Sequence, residues 1–439
     1  MELKTRTKFI ITIVLTLTYI TIDILLCRNW FTDISLVFGK FVAGFTIAGI
    51  SIFPAILCSV MLMGVIFDKE REYEIPDGLP DITILVAARN EEDNIYDTLK
   101  SISENEYHGN ITVKVIDNNS EDLTAYQIMR GKEDFTNITI DYMLETHKGK
   151  SYALNAALPE VETEYFVTLD ADTELPKNSL NRLVTTMVEK SKSDNVSGVA
   201  GSCIAKNHKD SFMTRLQYWD YFLSISSVKR YQGYLGGGGN TLVLQGAYSI
   251  YNTQAIREIG GWDTNSIGED ITLTWDLLFK GYRTSYEPKA ISYTKVPTTY
   301  KSLFHQRSRW AKCLPHELIK RNVLKYPTIY TTFFISMDYL LFVIDIDVVC
   351  VLLPSVFAAL LFHNYLFVGK MTLLCLPLTL IMFAILYHKE KKTFESIGEK
   401  IKESRWSLIP FALLYQFLVA PASLVGYVKG IFHMNHSWK

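Results

Sequence analysis

The chain has 439 residues, with 44 Lys and Arg against 46 Asp and Glu, which gives a formal net charge of −2. This balance leaves no domain-wide basic surplus to meet phosphates, so a general nucleic-acid-binding role is excluded. Hydrophobic residues make up 48% of the chain and charged residues 21%, which is more apolar than an ordinary soluble enzyme. The long apolar runs lie in residues 1–67 and after residue 325, so a normal globular middle separates two membrane regions.

The N-terminal region contains two candidate membrane spans. Residues 9–26 and 41–67 are each near or above the ~20 apolar residues that cross ~30 Å of hydrocarbon. A cleaved signal peptide is the alternative for the first run, because Lys4 and Arg6 give it a basic start. No small-residue cleavage site follows Leu26, so we expect two transmembrane helices in residues 1–67.

From Asp81 onward, short β-branched runs alternate with amphipathic stretches, as in βαβ units around a mostly parallel sheet. The runs at 82–87, 111–116, 138–144 and 165–169 predict four strands. Polar residues follow each run, and open α/β sheets bind ligands at the carboxyl ends of their strands. We therefore expect four strand ends to converge on one crevice.

Two connecting segments are also predicted from local sequence. Three acidic residues starting at Glu91 suit the positive end of a helix dipole, so a helix is expected from there to about Glu104. The four glycines at 236–239 predict a flexible loop.

The motif Asp170-Ala171-Asp172 stands where the fourth strand ends. Alternate residues of a strand share one side, so both carboxylates can point toward a hard divalent cation, which prefers oxygen ligands. Out of context, an Asp-x-Asp in a turn is more often a solvated loop or a helix cap. The neighbouring motifs decide between these interpretations.

Asp117 and Lys150 follow the second and third strands. Asp117 could accept a hydrogen bond from a nucleobase or ribose, although aspartate at a strand end is also a common turn former. Lys150 could meet a diphosphate as a point charge, or it could be an ordinary surface lysine.

Two further motifs lie later in the middle segment. Glu269 and Asp270 open a predicted helix and could be helix caps or could supply a general base. Gln306, Arg309 and Trp310 are spaced to share one helix face. That face could clamp a diphosphate and stack on a sugar, or it could belong to a basic helix at the lipid surface.

The C-terminal region contains three apolar runs, at residues 328–361, 371–386 and 408–428. Asp338, Asp345 and Asp347 interrupt the first run. Ionisable groups there are typical of a loop, a re-entrant piece or the wall of a wet channel, and the sequence leaves all three open. Basic residues flank several of the runs, which by the positive-inside rule places the middle segment in the cytosol.

Taken in order, these motifs resemble the D, DxD, (T/G)ED, QxxRW signature of processive family-2 glycosyltransferases. These enzymes are the membrane synthases of cellulose, chitin, hyaluronan and poly-N-acetylglucosamine. The resemblance covers residues 81–310 and extends to Ala87-Ala88-Arg89-Asn90-Glu91, Gly149-Lys150 and Gly246-Ala247-Tyr248. Two departures, Asn118-Asn119 after Asp117 and Gly268 before Glu269, remove no carboxylate that the chemistry needs.

The resemblance implies a cytosolic α/β domain of the GT-A (Rossmann-like) type inserted between transmembrane helices. Its expected boundaries are 1–67, 68–325 and 326–439, the last region with about three helices. Asp172 and Asp170 would bind Mg²⁺ or Mn²⁺, and Asp270 with Glu269 would supply the base. The implied substrate-binding residues are Ala88, Arg89, Glu91, Asp117, Lys150, Asp170, Gln306, Arg309 and Trp310.

The implied activity is inverting, processive transfer from a UDP-sugar to a growing β-linked polysaccharide, with coupled export as a further expectation. The arrangement of spans and Glu269-Asp270-Ile271 most resembles poly-β-1,6-N-acetylglucosamine synthases, so UDP-N-acetylglucosamine is the expected donor. Hyaluronan-, chitin- and glucan-type products stay open. The expected location is the plasma membrane, with membrane lipid and an accessory membrane subunit as further partners.

Two other classes of function remain as alternatives. A non-processive transferase acting on a lipid carrier would keep the nucleotide site but would need the Gln306, Arg309 and Trp310 face less. A transport or scaffold protein with an inactive enzyme domain is the third reading, and the intact Asp172 and Asp270 argue against it.

Overall fold

The computed structural model describes residues 4–68, 72–235, 240–322, 325–326, 328–368 and 370–432. The predicted loop at 236–239 lies outside these residues. Eight strands are numbered in chain order: β1 Ile82–Ala88, β2 Ile111–Asp117, β3 Thr139–Leu144, β4 Tyr165–Asp170, β5 Thr173–Glu174, β6 Val196–Ala205, β7 Tyr248–Asn252 and β8 Arg283–Thr294.

One mixed sheet, in the order β3-β2-β1-β4-β7-β6-β8-β5, forms the centre of the domain. The first four strands in this order are parallel, and they are the four that the sequence predicts. β7 runs antiparallel to both β4 and β6, so the sheet is mixed where a mostly parallel one was expected. β1, β4 and β6 are buried along nearly their whole length because both faces of the sheet are covered. Strands of this kind consist of β-branched and small apolar residues, as these three do.

Fifteen α-helical segments surround the sheet or form the membrane regions in the described part of the chain. They are α1 Thr5–Ile47, α2 Phe53–Phe67, α3 Ile95–Ser103, α4 Thr124–Asp134, α5 Lys150–Ala157, α6 Ser179–Asp194, α7 Phe212–Trp219, α8 Ser226–Leu235, α9 Thr253–Glu258, α10 Glu269–Phe279, α11 Tyr300–Lys320, α12 Ile329–Asp347, α13 Leu353–Phe362, α14 Lys370–Ser396 and α15 Leu408–Ile431.

The helix expected from Glu91 begins four residues later, at Ile95. The backbone N–H of Glu91 donates to Thr124 Oγ1 (2.7 Å), and that of Glu92 donates to Asp122 Oδ2 (3.2 Å). Both acceptors lie beyond β2. Residues 91–94 are therefore held by tertiary hydrogen bonds at the edge of the crevice and do not form the first turn of α3.

The N-terminal membrane region is a helical hairpin. α1 breaks at Gly39, whose φ of 83° favours glycine, and α2 runs back along it. Thr16 is hydrogen-bonded to Ser59 (2.9 Å), and Ser51 donates to Asp23 (2.9 Å). The first helix thus continues past residue 26, where the predicted span ended, because its later residues pack inside the bundle.

Three helical segments in the described residues are long and apolar enough to cross a membrane: Arg6–Phe67, Ile329–Phe362 and Arg405–Ile431. The second covers the interrupted run, and it is helical throughout, with a π-helical segment at Val348–Leu352. Gln416 and Tyr427 of α15 donate to Asp345 (2.8 Å each), which satisfies this carboxylate inside the bundle. The loop interpretation of this run was therefore wrong.

Candidate active site

The parallel strands bring the predicted polar residues to one edge of the sheet. Ala88 is paired with Asp117 on one side, and its neighbour Ala87 is paired with Asp170 on the other. Because the strands are adjacent, the ends of β2, β1 and β4 form a continuous rim. Arg89 follows Ala88 on this rim and is half-buried.

Asp117 is buried at the end of β2. Its carboxylate accepts hydrogen bonds from the Ser120 backbone N–H (2.9 Å) and from the Tyr142 hydroxyl (3.1 Å). Next to it, Asn118 accepts from the Gly149 N–H (2.7 Å) and donates to the His147 carbonyl (2.7 Å). Asn118 thus connects the end of β2 to the loop that carries Lys150. The acidic residue that the resembling signature has at this position could accept from the Gly149 N–H but could not donate to the His147 carbonyl, so asparagine suits these two hydrogen bonds.

Lys150 lies in the middle of the site. It is the first residue of α5, and its Nζ contacts Asp170 Oδ1 and lies 3.7 Å from Glu269 Oε1. Burial alone would lower the pKa of Lys150, but Asp170 and Glu269 raise it above its ordinary value. A Cβ on Gly246 would come within 2.7 Å of Lys150 Nζ, so glycine at 246 makes room for this ammonium group. Lys150 is therefore a buried ionic link between two motifs, and the alternative of an ordinary surface lysine is wrong.

Asp170 and Asp172, at the end of β4, interact electrostatically with Glu91, which follows β1. Burial, Asp170 and Glu91 raise the pKa of Asp172 to about 7, and burial together with Asp170 raises the pKa of Glu91. Thr294 and Thr173 hydroxyls donate to Asp172 Oδ1, at 3.2 and 3.3 Å. Such a concentration of negative charge and oxygen donors fits a hard divalent cation.

Within the described ranges, no group of three or more His, Cys, Asp or Glu side chains is arranged to hold a metal ion by itself. Sites of the Mg²⁺ type use one or two carboxylates and leave the other positions to substrate phosphates and water. Asp170 and Asp172 could hold a metal of this kind when a diphosphate completes the shell.

Glu269 and Asp270 form the first turn of α10, across from β4. Burial raises the pKa of Glu269, an effect that Lys150 opposes and Asp270 reinforces. Arg309 of α11 also acts on Glu269 electrostatically, which brings part of the last motif toward the carboxylates. Lys150 Nζ lies 3.7 Å from Glu269 Oε1, whereas Asp270 Oδ1 accepts a hydrogen bond from the backbone N–H of Ile271 (2.8 Å).

The rest of the last motif contacts different residues. Arg309 and Trp310 are exposed on α11, and Gln306 is partly buried. The Trp310 ring lies 6.4 Å from the Tyr221 ring, centroid to centroid, and the Arg307 guanidinium lies 4.3 Å from its centroid. The helix face predicted from spacing thus has Arg309 toward Glu269 and Trp310 beside Tyr221.

Sequence reasoning missed four residues near this site. Gln245 donates to Cys203 Sγ (3.0 Å) and contacts the buried Lys229, whose pKa is lowered to about 8 by burial. Tyr221 and Cys203 both interact electrostatically with Asp172. Lys229, a charged residue in the half-apolar α8, could have indicated that this helix lies near the site. Nothing in the sequence indicates that Lys229 contacts Gln245.

Comparison with known proteins agrees with this geometry. The family described as "Glycosyltransferase like family 2" matches residues 80–313, which is more than half of the chain. The chain therefore belongs to glycosyltransferase family 2, and its domain has the GT-A fold. A second family, described as "Chitin synthase", matches residues 263–438.

Curated relatives include two bacterial synthases. The poly-β-1,6-N-acetyl-D-glucosamine synthase of Staphylococcus aureus (strain MSSA476) is 33% identical over 281 residues, which is 62% of this chain and 65% of the relative. The synthase of the same name from Staphylococcus epidermidis is 33% identical over 250 residues, 57% and 58% of the two chains. This chain thus matches 65% and 58% of the length of these two relatives, which is less than two thirds in each case.

A solved structure shares the fold. A mannosyltransferase from Pyrobaculum calidifontis, in complex with GDP-mannose and Mn²⁺, aligns with a TM-score of 0.58 and 19% sequence identity. The alignment covers 89% of this chain and all of that one. At this identity, the likeness establishes the fold alone.

Proposed function

We propose that this chain is a membrane-embedded, inverting, processive glycosyltransferase that polymerises UDP-N-acetylglucosamine into a β-linked polysaccharide such as poly-β-1,6-N-acetylglucosamine. The observation that carries the proposal is the link through Lys150, which joins the Asp170 side of the site to Glu269. Transfer requires the donor, bound at the Asp170 side, and the acceptor hydroxyl, bound at the Glu269 side, to lie close together in one geometry. The choice of sugar rests on the staphylococcal synthases.

Each motif has a role in the proposed reaction. Asp117 binds the uridine at the end of β2, with Ala88 and Arg89 beside it on the rim. Asp172 and Asp170 would hold Mg²⁺ or Mn²⁺, which would supply charge compensation for the leaving UDP, and Glu91 adds to the negative charge there. Arg309, Gln306 and Lys150 contact the diphosphate, because donors fixed in advance stabilise developing charge best.

Asp270 acts as the general base. Its carboxylate takes the proton of the acceptor hydroxyl, whose oxygen forms a bond to the anomeric carbon while the bond to UDP breaks and its electron pair leaves with the phosphate. Attack from the opposite side converts an α-linked donor into a β-linked product. Trp310 then stacks on the acceptor sugar, which keeps the polymer bound between additions.

The membrane arrangement forms part of the proposal. The catalytic domain faces the cytosol, where UDP-sugars are made, and the polymer leaves through the helical bundle of the plasma membrane. Buried polar groups such as Asp345 give that bundle a polar interior. Membrane lipid surrounds the helices, and an accessory membrane subunit is a further proposed partner.

The experiment is a donor screen on the purified full-length protein in nanodiscs, with UDP-N-acetylglucosamine, UDP-glucose or UDP-glucuronate and Mn²⁺, Mg²⁺ or chelator. UDP release and product length are measured together. We expect long, β-linked polymer from UDP-N-acetylglucosamine that disappears on chelation. A product with a single sugar on a lipid would contradict processivity, and preference for another donor would contradict the choice of sugar.

A further inference from the structure

Arg307 is the arginine of the α11 motif that the proposed mechanism does not use. It is 8% exposed, and its Nη2 lies 2.8 Å from Asp220 Oδ2. The Tyr415 hydroxyl of α15 donates to the same oxygen (3.1 Å). Removing either partner of a buried ion pair leaves a buried charge uncompensated, so the pair favours keeping Arg307 and Asp220 together.

Asp220 is itself held at a special point in the chain. It begins a π-helical segment, Asp220–Ile225, that follows α7. Single-turn π-helical segments often occur at functional sites because they shift the direction of side chains along a helix. Arg307 thus contacts this segment through Asp220, and α15 contacts the same carboxylate through Tyr415.

The guanidinium covers one face of the Trp310 indole. Arg307 and Trp310 are three residues apart on α11, so their side chains are neighbours, and the guanidinium carbon lies 4.3 Å from the ring centroid. The same guanidinium lies 5.9 Å from the Tyr221 ring. With these contacts made, 37% of Trp310 stays exposed.

We propose that Arg307 is a positioning residue for the acceptor site: it holds the Trp310 indole by one face so that the exposed part is presented to the acceptor sugar. This inference rests on the proposed function. Arg307 does not touch the substrate, and it acts only through Trp310. A lysine at 307 would keep the charge near Asp220 but would lose the planar group that stacks on the ring.

This role predicts a particular pattern of kinetic defects. Loss of stacking should weaken the hold on the acceptor and leave the donor site unchanged, because Asp117, Lys150 and the carboxylates are not contacted by Arg307. We therefore expect shorter products and a raised KM for oligosaccharide primers. The KM for UDP-N-acetylglucosamine should stay close to that of the wild type.

The test compares R307K, R307Q and W310L in the full-length protein in nanodiscs, with N-acetylglucosamine oligosaccharides as primers. We expect R307K to raise the primer KM about tenfold, in line with a lost cation–π contact. R307Q should do at least as much, and R307K should add little to W310L, because each of these changes removes the contact between the guanidinium and the indole. If R307Q fails to fold, R307K and the double variant decide the result.

Arg130 offers a matched control. Its guanidinium carbon lies 4.2 Å from the Tyr96 ring, and its Nε lies 3.6 Å from Asp134, outside the site. R130K should leave primer KM and product length unchanged. Three results would overturn the inference: wild-type behaviour of R307K, equal changes in donor KM and primer KM, or additive losses in R307K/W310L. Absence of polymer from the wild-type protein would instead contradict the proposed function.

Discussion

At the scale of residues, Lys150 and Lys229 show two uses of a buried ammonium group. Lys150 has two carboxylate neighbours, Asp170 and Glu269, that keep it charged. Lys229 contacts only the neutral Gln245 among the hydrogen bonds and ion pairs of the described residues, so burial dominates its pKa. Lys150 therefore links two motifs of the site. The burial of the Lys229 ammonium group, in contrast, lowers the stability of the folded protein when that group is protonated.

Asp270→Asn should abolish synthesis while leaving UDP binding nearly intact. The amide cannot accept the acceptor proton, and loss of a general base typically costs a factor of about 10² to 10⁴ in rate. The change keeps the shape of the side chain, and α10 keeps its backbone hydrogen bonds. Polymer formation and UDP affinity should be measured on the same preparation. Retained synthesis would show that another group is the base.

Lys229→Met should stabilise the protein at pH 7. Burial lowers the pKa of Lys229 from 10.5 to about 8. Between these values the unfolded chain holds the proton and the folded chain releases it, so stability rises with pH, and at pH 7 the buried charge costs about 3 kcal/mol. Losing the hydrogen bond to Gln245 offsets about 1 kcal/mol of the gain.

Thermal unfolding of wild type and Lys229→Met in detergent at pH 7 and pH 9.5 measures this effect. The advantage of the variant should shrink at the higher pH. Lys132→Met, at an exposed lysine of α4, is the control and should change neither curve. A variant that is less stable than the wild type at pH 7 would show that the cost of burial is not what dominates at this position.

At the scale of elements, the helix that carries the last motif is fixed by a candidate membrane helix. α15 packs along α11, and two of its glycines face the α11 backbone. A Cβ on Gly426 would lie 2.8 Å from Ala311 Cβ, and one on Gly430 would lie 2.7 Å from Pro315 Cγ. Glycines four residues apart allow two helices to approach closely, as in membrane helix pairs.

Gly426→Val should therefore push α11 away and reduce polymer synthesis by a factor of about ten or more, since small shifts of positioning groups are costly. The measurement is UDP release per folded enzyme, with thermal unfolding to report stability. Gly44→Val in α1 is the matched control, because no heavy atom of the described chain lies within 4 Å of a Cβ built there. Equal effects of both variants would contradict a specific contact with α11.

At the scale of the whole molecule, the helical bundle has two distinct ends. At one end, Arg230 of α8 pairs with Asp68 (2.7 Å) and with Glu390 of α14 (2.5 Å), which joins the catalytic domain to the membrane helices. At the other end, Trp30 donates to the Leu366 carbonyl (2.8 Å). The turns at Gly39 and at residues 363–368 thus lie together, away from the active site.

This arrangement predicts opposite labelling at the two ends. In a Cys350→Ser background, which removes an exposed thiol, Tyr365→Cys should react with a membrane-impermeant maleimide in intact cells. Lys132→Cys in the catalytic domain should react only after the cells are permeabilised. The reverse pattern would contradict a cytosolic catalytic domain.

The sequence by itself determined the features that depend on local pattern and chemical type. β-branched runs specified β1 to β4, apolar length specified the membrane regions, and the motif Asp170-Ala171-Asp172 indicated an oxygen-ligand site. These features were predictable because periodicity, span length and carboxylate spacing are properties of neighbouring residues.

The tertiary structure decided everything that depends on contacts distant in sequence. The antiparallel β7 in the middle of the sheet and the delayed start of α3 each result from partners that no local pattern reveals. The same holds for the active site. Lys150 became a buried link only because Asp170 and Glu269 approach it from separate elements, and charge and burial at such a point are set by packing.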